Sequence, residues 1–265
     1  MTMDVRLIGI DWQNDFCDPN GSLHVLGADE DAKRCAAMIK RLGKKITQID
    51  ETLDSHHFVD IAHPIFLINS NGEHPTPFTI ITLKDMEDGV WRATNPQFQK
   101  RAVEYAKQLE TNGRYPWCVW PPHCLIGSWG YGVIPVLFDA FKKWEENFKM
   151  VNYVTKGSNF WTEHYSAVQA DVPDIADPST MLNTPFIEAL ENSDIIALTG
   201  QALSHCLANT VRDIANNFGE ENIQKLVLIK DCTSSVTGFE QMGEDFISEM
   251  TSRGMKITTS TEFLA

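Results

Sequence analysis

The chain has 265 residues, of which 43% are hydrophobic and 22% are charged, so it can bury a substantial core in one large α/β domain or two small ones. Its net charge of −14 opposes binding to a nucleic-acid backbone. No apolar run reaches the roughly 20 residues that a membrane-spanning helix needs. The six cysteines include no CxxC pair and the first residues lack the features of a signal peptide, so we expect free thiols in a soluble, cytoplasmic protein.

Short apolar strands alternate with helical patterns along the chain. In chain order, we predict a strand over residues 5–10, a helix over 29–42, a weaker strand over 46–53, a helix over 97–109, a strand over 117–120, a helix over 133–148, a strand over 150–155, a helix over 184–191, a strand over 194–199, a helix from 204 to 218, a strand over 225–229, a helix over 239–250 and a strand over 256–259. This alternation predicts a doubly wound, mostly parallel α/β sheet with helices on both faces, a Rossmann-like three-layer fold. We expect residues 1–265 to form a single domain with an insertion at about 64–116, because that segment shows no linker composition.

Chemically reactive side chains follow four of the predicted strands. These are Asp11, a cluster that begins at Asp54, Lys156, and Cys206 after its turn. In open α/β sheets, ligands bind beyond the carboxyl ends of the strands. We therefore expect these side chains, although distant in sequence, to lie close together.

Cys206 is the candidate nucleophile. Gly200 permits a turn after the preceding strand, and Ser204 is a favourable N-cap, so Cys206 is predicted in the first turn of a helix. The free N–H groups and the positive dipole end of a helix favour thiolate over thiol. The alternative is that Cys206 is a small buried hydrophobic residue.

A cysteine nucleophile needs a base or a nearby cation. Asp11 could accept the thiol proton, and Lys156 could stabilise the thiolate while keeping Asp11 charged. Each has a simpler interpretation, as a turn residue and as a surface charge. His205 is a second candidate base, but adjacent positions of an α-helix do not face one another, so Asp11 is preferred.

A second group of residues has the chemistry of metal ligands. Asp54 and His56 share one face of an extended segment, and the Pro-Pro turn before His123 restricts its backbone. One carboxylate and two imidazoles suit Zn²⁺, Mn²⁺ or Fe²⁺ and leave coordination positions open. His57 and His63 are further imidazoles in the same stretch. The alternative is that these are solvated turn residues.

Several stretches, in order along nearly the whole chain, resemble the nicotinamidase (pyrazinamidase-like) branch of the isochorismatase-like cysteine hydrolases. They are IGIDWQNDFCDPNGSL, TLDSHHFVDIAHP, WPPHCLIGSWG, YVTKG and TGQALSHCLANTV, with DCTSSVTGFE as weaker support. The resemblance implies the same doubly wound fold and hydrolysis of nicotinamide to nicotinate and ammonia, a step of NAD salvage. The reaction would pass through a thioester on Cys206, with the substrate's pyridine nitrogen on the metal and its carboxamide carbon over the thiol.

The resemblance also assigns roles to individual residues. It implies a catalytic triad of Asp11, Lys156 and Cys206, metal ligands Asp54, His56 and His123, ring-pocket walls Phe16 and Trp120, and an oxyanion hole made by the N–H groups of Ala202 and Cys206, with a cis peptide before Ala202. A possible fourth metal ligand is His63; Asp60 or water is the alternative. One divalent ion is implied, with Zn²⁺ expected and Mn²⁺ or Fe²⁺ as alternatives.

Two other functions are compatible with the sequence. One is another amidase of this fold that acts on a carbamoyl or ureido compound. The other is a non-catalytic protein that binds a small molecule in the same pocket, since a fold does not fix a function. In all three cases we expect a small-molecule ligand, no nucleic-acid or membrane partner, and a homo-oligomer.

Overall fold

The computed structural model describes residues 3–265, which form a parallel central sheet, helices around it and two small antiparallel sheets. In chain order the elements are β1 (Val5–Ile10), α1 (Asn14–Cys17), α2 (Ala28–Leu42), β2 (Gln48–Asp54), β3 (Leu67–Ile68), β4 (Ile80–Ile81), α3 (Leu83–Glu87), β5 (Arg92–Ala93), α4 (Gln99–Asn112), β6 (Trp117–Cys118), α5 (Pro135–Glu145), β7 (Asn152–Lys156), α6 (Thr184–Glu191), β8 (Ile195–Gly200), α7 (Ala208–Asn217), β9 (Leu226–Ile229), α8 (Glu240–Ser252) and β10 (Lys256–Thr258). A π-helical turn, Leu203–Leu207, joins β8 to α7.

The central sheet has the strand order β10-β9-β8-β1-β2-β7, and all neighbouring strands are parallel. From β1 the chain winds through α2 to β2, whereas from β8 it winds the opposite way through α7 and α8. Right-handed crossovers therefore place α2 on one face and α7 and α8 on the other. The helix α5 packs against α2. The predicted doubly wound α/β fold is confirmed, and its strand order reverses between β1 and β8.

The burial of β2 explains why its sequence fitted neither a helix nor a strand pattern clearly. The strand is almost wholly buried but carries acidic residues in its interior. Asp50 pairs with Arg6 at 2.7 Å, and Glu51 accepts the N–H of Trp12 at 2.9 Å. These contacts give each buried carboxyl group a partner for one oxygen, while Glu51 Oε2 has none within residues 3–265, and β2 forms although its apolar residues follow no simple strand period.

The segment 64–116, predicted as an insertion, contributes most of a second hydrophobic cluster beside the central sheet. It pairs β3 with β5 and β4 with β6, both antiparallel. The strand predicted over residues 117–120 is shorter than expected and lies outside the central sheet. Its pairing stops near Pro121 and Pro122, which have no N–H group to donate to a ladder.

Among residues 3–265, no helix is both long enough and apolar enough to cross a membrane.

Candidate active site

The carboxyl ends of four neighbouring strands bring the predicted reactive residues together. Asp11 directly follows β1, Asp54 and Lys156 end β2 and β7, and Cys206 follows β8. The register of the sheet pairs Asp54 with Lys156 across β2 and β7. All four side chains are buried. These residues lie at the carboxyl-terminal end of the sheet, next to the point between β1 and β8 where the strand order reverses. Doubly wound folds bind their ligands at this point.

Lys156 is the centre of this cluster. Its Nζ lies 3.0 Å from Asp11 Oδ2, donates to Asp54 Oδ1 at 2.9 Å, and lies 3.7 Å from Cys206 Sγ. It also donates to the carbonyl of His164 at 2.8 Å. Although burial lowers it, the carboxylates of Asp11 and Asp54 raise the pKa of Lys156 well above its ordinary value. The buried ammonium therefore stays charged beside the thiol.

Asp11 is held by Thr52 as well as by Lys156. Its Oδ1 accepts the Thr52 hydroxyl at 2.5 Å, and its own N–H donates to the same oxygen of Thr52 at 3.0 Å. Burial raises the pKa of Asp11, and the opposing effect of Lys156 does not cancel that rise. A carboxylate with a raised pKa is a better proton acceptor, which suits the role predicted for Asp11.

The surroundings of Cys206 oppose ionisation of its thiol. Burial raises the pKa of Cys206 well above its ordinary value; Lys156 lowers it, but the negative charges of Asp11 and Asp54 and a hydrogen bond to Asp11 raise it further. The prediction that the helix start favours a resting thiolate is therefore wrong, because burial and two carboxylates outweigh one ammonium. If Cys206 is the nucleophile, as predicted, its thiol has to lose a proton during the reaction.

The prediction of Ser204 as an N-cap is also wrong. The helical segment begins with the π turn, its N-cap position is Ala202, and no side chain caps it. The Ser204 hydroxyl lies inside the turn, where it accepts the N–H of Val236 at 3.1 Å.

The turn between β8 and Cys206 has an unusual backbone. Gly200 has a φ of +120°, and a Cβ there would lie 2.1 Å from the carbonyl oxygen of Ile10, so only glycine fits. The Gln201–Ala202 peptide bond is cis, as the resemblance implies. Ala202 and Cys206 both line the cavity described below, while their role as oxyanion donors stays a prediction.

Asp54, His56 and His123 form a group with the geometry of metal ligands. Asp54 Oδ2 lies 3.1 Å from His56 Nε2 and 3.3 Å from His123 Nε2. One candidate ligand atom from each residue lies within 4.8 Å of the others, and all three residues are buried. Although burial raises it, His56 and Lys156 hold the pKa of Asp54 well below its ordinary value, so this carboxylate is ionised.

The outer nitrogens of both imidazoles are already engaged. His56 Nδ1 lies 3.1 Å from Asp60 Oδ2, and His123 Nδ1 lies 2.9 Å from the carbonyl oxygen of Pro121. With the proton on each Nδ1, a cation that replaces the proton on Nε2 would find one lone pair from each ring beside the carboxylate of Asp54. Metal-bound histidines have this outer arrangement, so the residues present fit a divalent cation.

The two predicted candidates for a fourth ligand lie in different positions. Asp60 faces the outer nitrogen of His56 and accepts the N–H of Ala62 at 2.9 Å. The ring of His63 packs 5.1 Å from that of His56 and 5.5 Å from that of His123, centroid to centroid. Its Nε2 is buried and has no hydrogen-bond partner within residues 3–265. His63 thus has an unpartnered nitrogen but does not belong to the group of ligand atoms within 4.8 Å of one another, whereas Asp60 orients His56.

A cavity connects the thiol of Cys206 to the candidate metal ligands Asp54 and His123. Phe16 and Trp120, the predicted ring-pocket walls, both line it, together with apolar side chains. The ring of Phe16 stands edge-on to that of His123, with centroids 5.4 Å apart. Trp120 donates its Nε1–H to the hydroxyl of Tyr165 at 2.9 Å, which fixes the orientation of this wall. The full lining is Phe16, Leu23, Val25, Asp54, Trp120, His123, Glu163, Tyr165, Ala202, His205, Cys206 and Val236.

Sequence reasoning missed the loop that follows β7. Within it, Glu163 and Tyr165 line the cavity, and the carbonyl of His164 holds Lys156. Glu163 Oε1 lies 3.9 Å from His56 Nε2, and burial raises the pKa of Glu163 to about 7. The loop has no regular period or known motif, so only the density of ionisable and aromatic residues over 160–165 pointed to it.

The fold is similar to solved structures of nicotinamidases and pyrazinamidases. Yeast nicotinamidase Pnc1p has a TM-score of 0.66 at 19% identity, with 96% of this chain and 99% of that chain covered. The Acinetobacter baumannii nicotinamidase/pyrazinamidase has a TM-score of 0.66 at 20% identity, with 98% of each chain covered. A pyrazinamidase of Pyrococcus horikoshii in complex with zinc has a TM-score of 0.57 at 18% identity, with 97% of this chain and 99% of that chain covered.

No protein-family model and no curated protein sequence matches the chain. The structural neighbours cover almost the full chain in both directions, so they establish the architecture of all its main elements. The chain therefore has the α/β fold of the nicotinamidases and pyrazinamidases.

Proposed function

We propose that the protein is a metal-assisted cysteine amidohydrolase that converts nicotinamide to nicotinate and ammonia. One observation carries the proposal. The carboxylate of Asp54 contacts Lys156 through one oxygen and the two histidines through the other, so a nucleophile group and a cation site share one residue. Both groups open into one cavity with aromatic walls, which suits a flat ring bearing an amide.

The first half of the reaction acylates Cys206. Asp11 accepts the thiol proton as the sulfur attacks the amide carbon, and Lys156 stabilises the negative charge on both partners. The carbonyl oxygen becomes an oxyanion beside the N–H groups of Ala202 and Cys206. Each such donor lowers the barrier by about 3 kcal/mol in other oxyanion holes.

The second half releases the products. Asp11 returns the proton to the amide nitrogen, the carbon–nitrogen bond breaks, and ammonia leaves a thioester on Cys206. Asp11 then takes a proton from a water molecule, whose oxygen attacks the thioester carbon. The carbon–sulfur bond breaks, nicotinate is released, and the thiol recovers its proton.

The candidate metal ligands have a positioning role in this scheme. When bound by Asp54, His56 and His123, a divalent cation would supply a Lewis-acidic site for the ring nitrogen of the substrate. We propose Zn²⁺, since one carboxylate and two imidazoles suit it. The structurally similar pyrazinamidase of Pyrococcus horikoshii was solved in complex with zinc. Mn²⁺ and Fe²⁺ are the alternatives, and His63 is the proposed fourth ligand.

The proposal is tested by an ammonia-release assay on zinc-loaded protein with nicotinamide as the substrate. Release of stoichiometric ammonia and nicotinate, absent from Cys206→Ala, supports it. Hydrolysis of carbamoyl or ureido compounds without hydrolysis of nicotinamide would identify the other amidase. Binding of nicotinamide with no turnover by the intact chain would identify a non-catalytic binding protein.

The remaining proposals follow from the same activity. Nicotinate re-enters the synthesis of NAD, so we propose a place in NAD salvage. Cytoplasmic location and a homo-oligomeric state stay predictions from the sequence.

A further inference from the structure

The π turn after β8 is braced by the segment 231–236, which begins the motif DCTSSVTGFE. The carbonyl oxygen of Ser234 accepts the N–H of Leu203 at 2.8 Å. The N–H of Val236 donates to Ser204 Oγ at 3.1 Å. The polar side chains of this segment have no role in the proposed reaction, so their presence beside the turn needs another explanation.

Gln201, which directly precedes Ala202, is held at both ends of its side chain. Its Oε1 accepts the N–H of Ser234 at 3.2 Å, and its Nε2 donates to Asp31 Oδ2 at 2.9 Å. Its backbone N–H donates to the carbonyl oxygen of Ile10 at 2.8 Å. One end of the amide faces a donor and the other end faces an acceptor, so only one orientation satisfies both. Gln201 is fully buried and is therefore fixed by main-chain and side-chain contacts together.

Asp31 is the common partner in this network. It lies in the first turn of α2 and is 3% exposed. Its Oδ2 accepts the hydroxyl of Ser234 at 2.6 Å as well as the amide of Gln201, and its Oδ1 accepts from Arg34 at 2.5 Å. One buried carboxylate thus connects α2, the chain after β8 and the segment 231–236. These donors supply the partners that a buried charge requires.

The network ends at the peptide group that joins Gln201 to Ala202, whose N–H is one of the two proposed oxyanion donors. The contacts of Gln201 hold this peptide group on one side. On the other side, the carbonyl oxygen of Ala202 accepts the N–H groups of His205 and Leu207 at 3.0 and 3.1 Å. An oxyanion donor is effective only where the negative charge develops. A displacement of about 1 Å can cost about 10²-fold in rate.

We propose that Asp31 and Gln201 are positioning residues, which hold the N–H of Ala202 at the place where the oxyanion forms. The inference rests on the proposed function, because that function supplies the oxyanion. Neither Asp31 nor Gln201 is among the described residues that line the cavity, so both act through the backbone and not by touching the substrate. Their loss should therefore weaken binding of the transition state much more than binding of the amide.

Asp31→Asn tests the network. The new amide nitrogen would face Gln201 Nε2, so two donors would oppose each other and Gln201 would have to turn. The probe of the oxyanion hole is pyridine-3-carbaldehyde, whose carbonyl carbon bonds to the sulfur of Cys206 while its oxygen takes up the thiol proton and occupies the oxyanion position. We expect Asp31→Asn to lose at least about tenfold in affinity for the aldehyde and a similar factor in turnover of nicotinamide. Nicotinamide itself, measured by calorimetry in the Cys206→Ala background, should bind within about twofold with and without Asp31→Asn. All proteins are loaded with zinc.

A compensating substitution separates positioning from general damage. In the Asp31→Asn, Gln201→Glu double variant, donor and acceptor are exchanged: the new amide can donate to the new carboxylate, whose other oxygen still accepts the N–H of Ser234. The double variant should regain at least about fivefold of the aldehyde affinity lost in Asp31→Asn. Gln201→Glu alone should lose affinity, because it places two carboxylates against each other.

Glu30→Gln is the matched control. Glu30 is exposed and lies in the same turn of α2, so this variant removes a carboxylate from the helix start without touching the network. Its aldehyde affinity should be unchanged. A loss equal to that of Asp31→Asn would mean that charge at the start of α2 is the cause, and would overturn the inference.

The other outcomes also decide. Equal losses for aldehyde and amide in Asp31→Asn, an unchanged aldehyde affinity, or no recovery in the double variant would overturn the positioning role even if nicotinamide is hydrolysed. The expected pattern of affinities without any ammonia release by the intact chain would overturn the hydrolase assignment alone. If Asp31→Asn does not fold, Gln201→Met takes its place, since it leaves Asp31 paired with Ser234 and Arg34, and the same selective loss of aldehyde affinity is expected.

Discussion

Lys156 Nζ and Asp54 Oδ1 are 2.9 Å apart, so the cation of the candidate nucleophile group and a candidate metal ligand form a buried ion pair. Neither group can then be altered without affecting the other. Loss of Lys156 would leave Asp54 and Asp11 as like charges in a buried site, and loss of Asp54 would leave Lys156 with a single carboxylate partner. The paired strands β2 and β7 impose this link, because their register places the two residues side by side.

Lys156→Met tests this link directly. It removes the ammonium 3.7 Å from the thiol, so the pKa of Cys206 should rise further and its alkylation at neutral pH should slow by about tenfold. Turnover should be lost, and zinc affinity should change as well, because Asp54 loses its partner. Lys142→Met, at an exposed lysine, is the matched control. Unchanged alkylation, turnover and zinc content in Lys156→Met would contradict the triad.

Cys206→Ala should reduce nicotinamide hydrolysis by about 10³-fold or more, since no other group would form the thioester. Binding of nicotinamide should survive, because the cavity walls and the cation site are intact. A thiol-alkylating reagent should label Cys206 before the other cysteines, since Cys206 lines the cavity beside the ammonium of Lys156, whereas Cys17 and Cys124 do not line it. Mass spectrometry of the labelled protein checks the order, and Cys17→Ala is the matched control for activity.

Asp11→Asn should separate proton transfer from thiol reactivity. The amide cannot accept the thiol proton, so turnover should fall by at least about 10²-fold. Alkylation of Cys206 should be affected less, since Lys156 remains and one negative charge beside the thiol is removed. Rates of ammonia release and of alkylation are compared on the same preparation. Equal losses in both rates would mean that Asp11 acts mainly by holding the site together.

Removal of the candidate metal ligands should lower both zinc content and activity. We expect His123→Ala and Asp54→Ala each to lose zinc affinity by at least about tenfold, as measured by elemental analysis after dialysis against a chelator. His63→Ala and Asp60→Asn then separate the remaining roles. If His63→Ala loses as much zinc affinity as His123→Ala, His63 is a ligand. If His63→Ala keeps its full zinc content, water occupies the fourth coordination position instead. Stoichiometric zinc in the Asp54→Ala, His123→Ala double variant would place the ligands elsewhere.

We predict that stability depends on pH through Asp171, a buried residue that accepts the N–H of the cavity-lining Tyr165 at 3.0 Å. Burial raises the pKa of Asp171 to about 6. The folded state therefore favours the protonated form, so stability falls as the pH rises from about 4, and the penalty is complete above about 6. Asp171→Asn removes this charge and should stabilise the protein at pH 8 relative to pH 4 by on the order of 3 kcal/mol. Thermal unfolding at the two pH values checks this, and equal shifts at both would contradict it.

The sequence by itself determined the fold class and most of the candidate site. Short β-branched runs and helical periods are local patterns, so they identified the strands of the central sheet and the helices between them. Four reactive residues were placed at the carboxyl ends of strands: Asp11, Asp54, Lys156 and Cys206. Because the carboxyl ends of parallel strands lie on the same side of a sheet, these residues were predicted to converge. The metal-ligand group could be predicted from a local pattern as well, because Asp54 and His56 lie two residues apart on an extended segment and therefore share one face.

The tertiary structure alone decided how these residues act on one another. The pairing of Asp54 with Lys156 depends on the register of β2 against β7, which are separated by about a hundred residues of chain. The state of Cys206 depends on burial and on carboxylates contributed by other strands, which reversed the expectation from its helix position. The placing of His205 in the cavity depends on a π turn, and that of Glu163 on an irregular loop. Such features arise from contacts between distant segments, and no local pattern of residues encodes them.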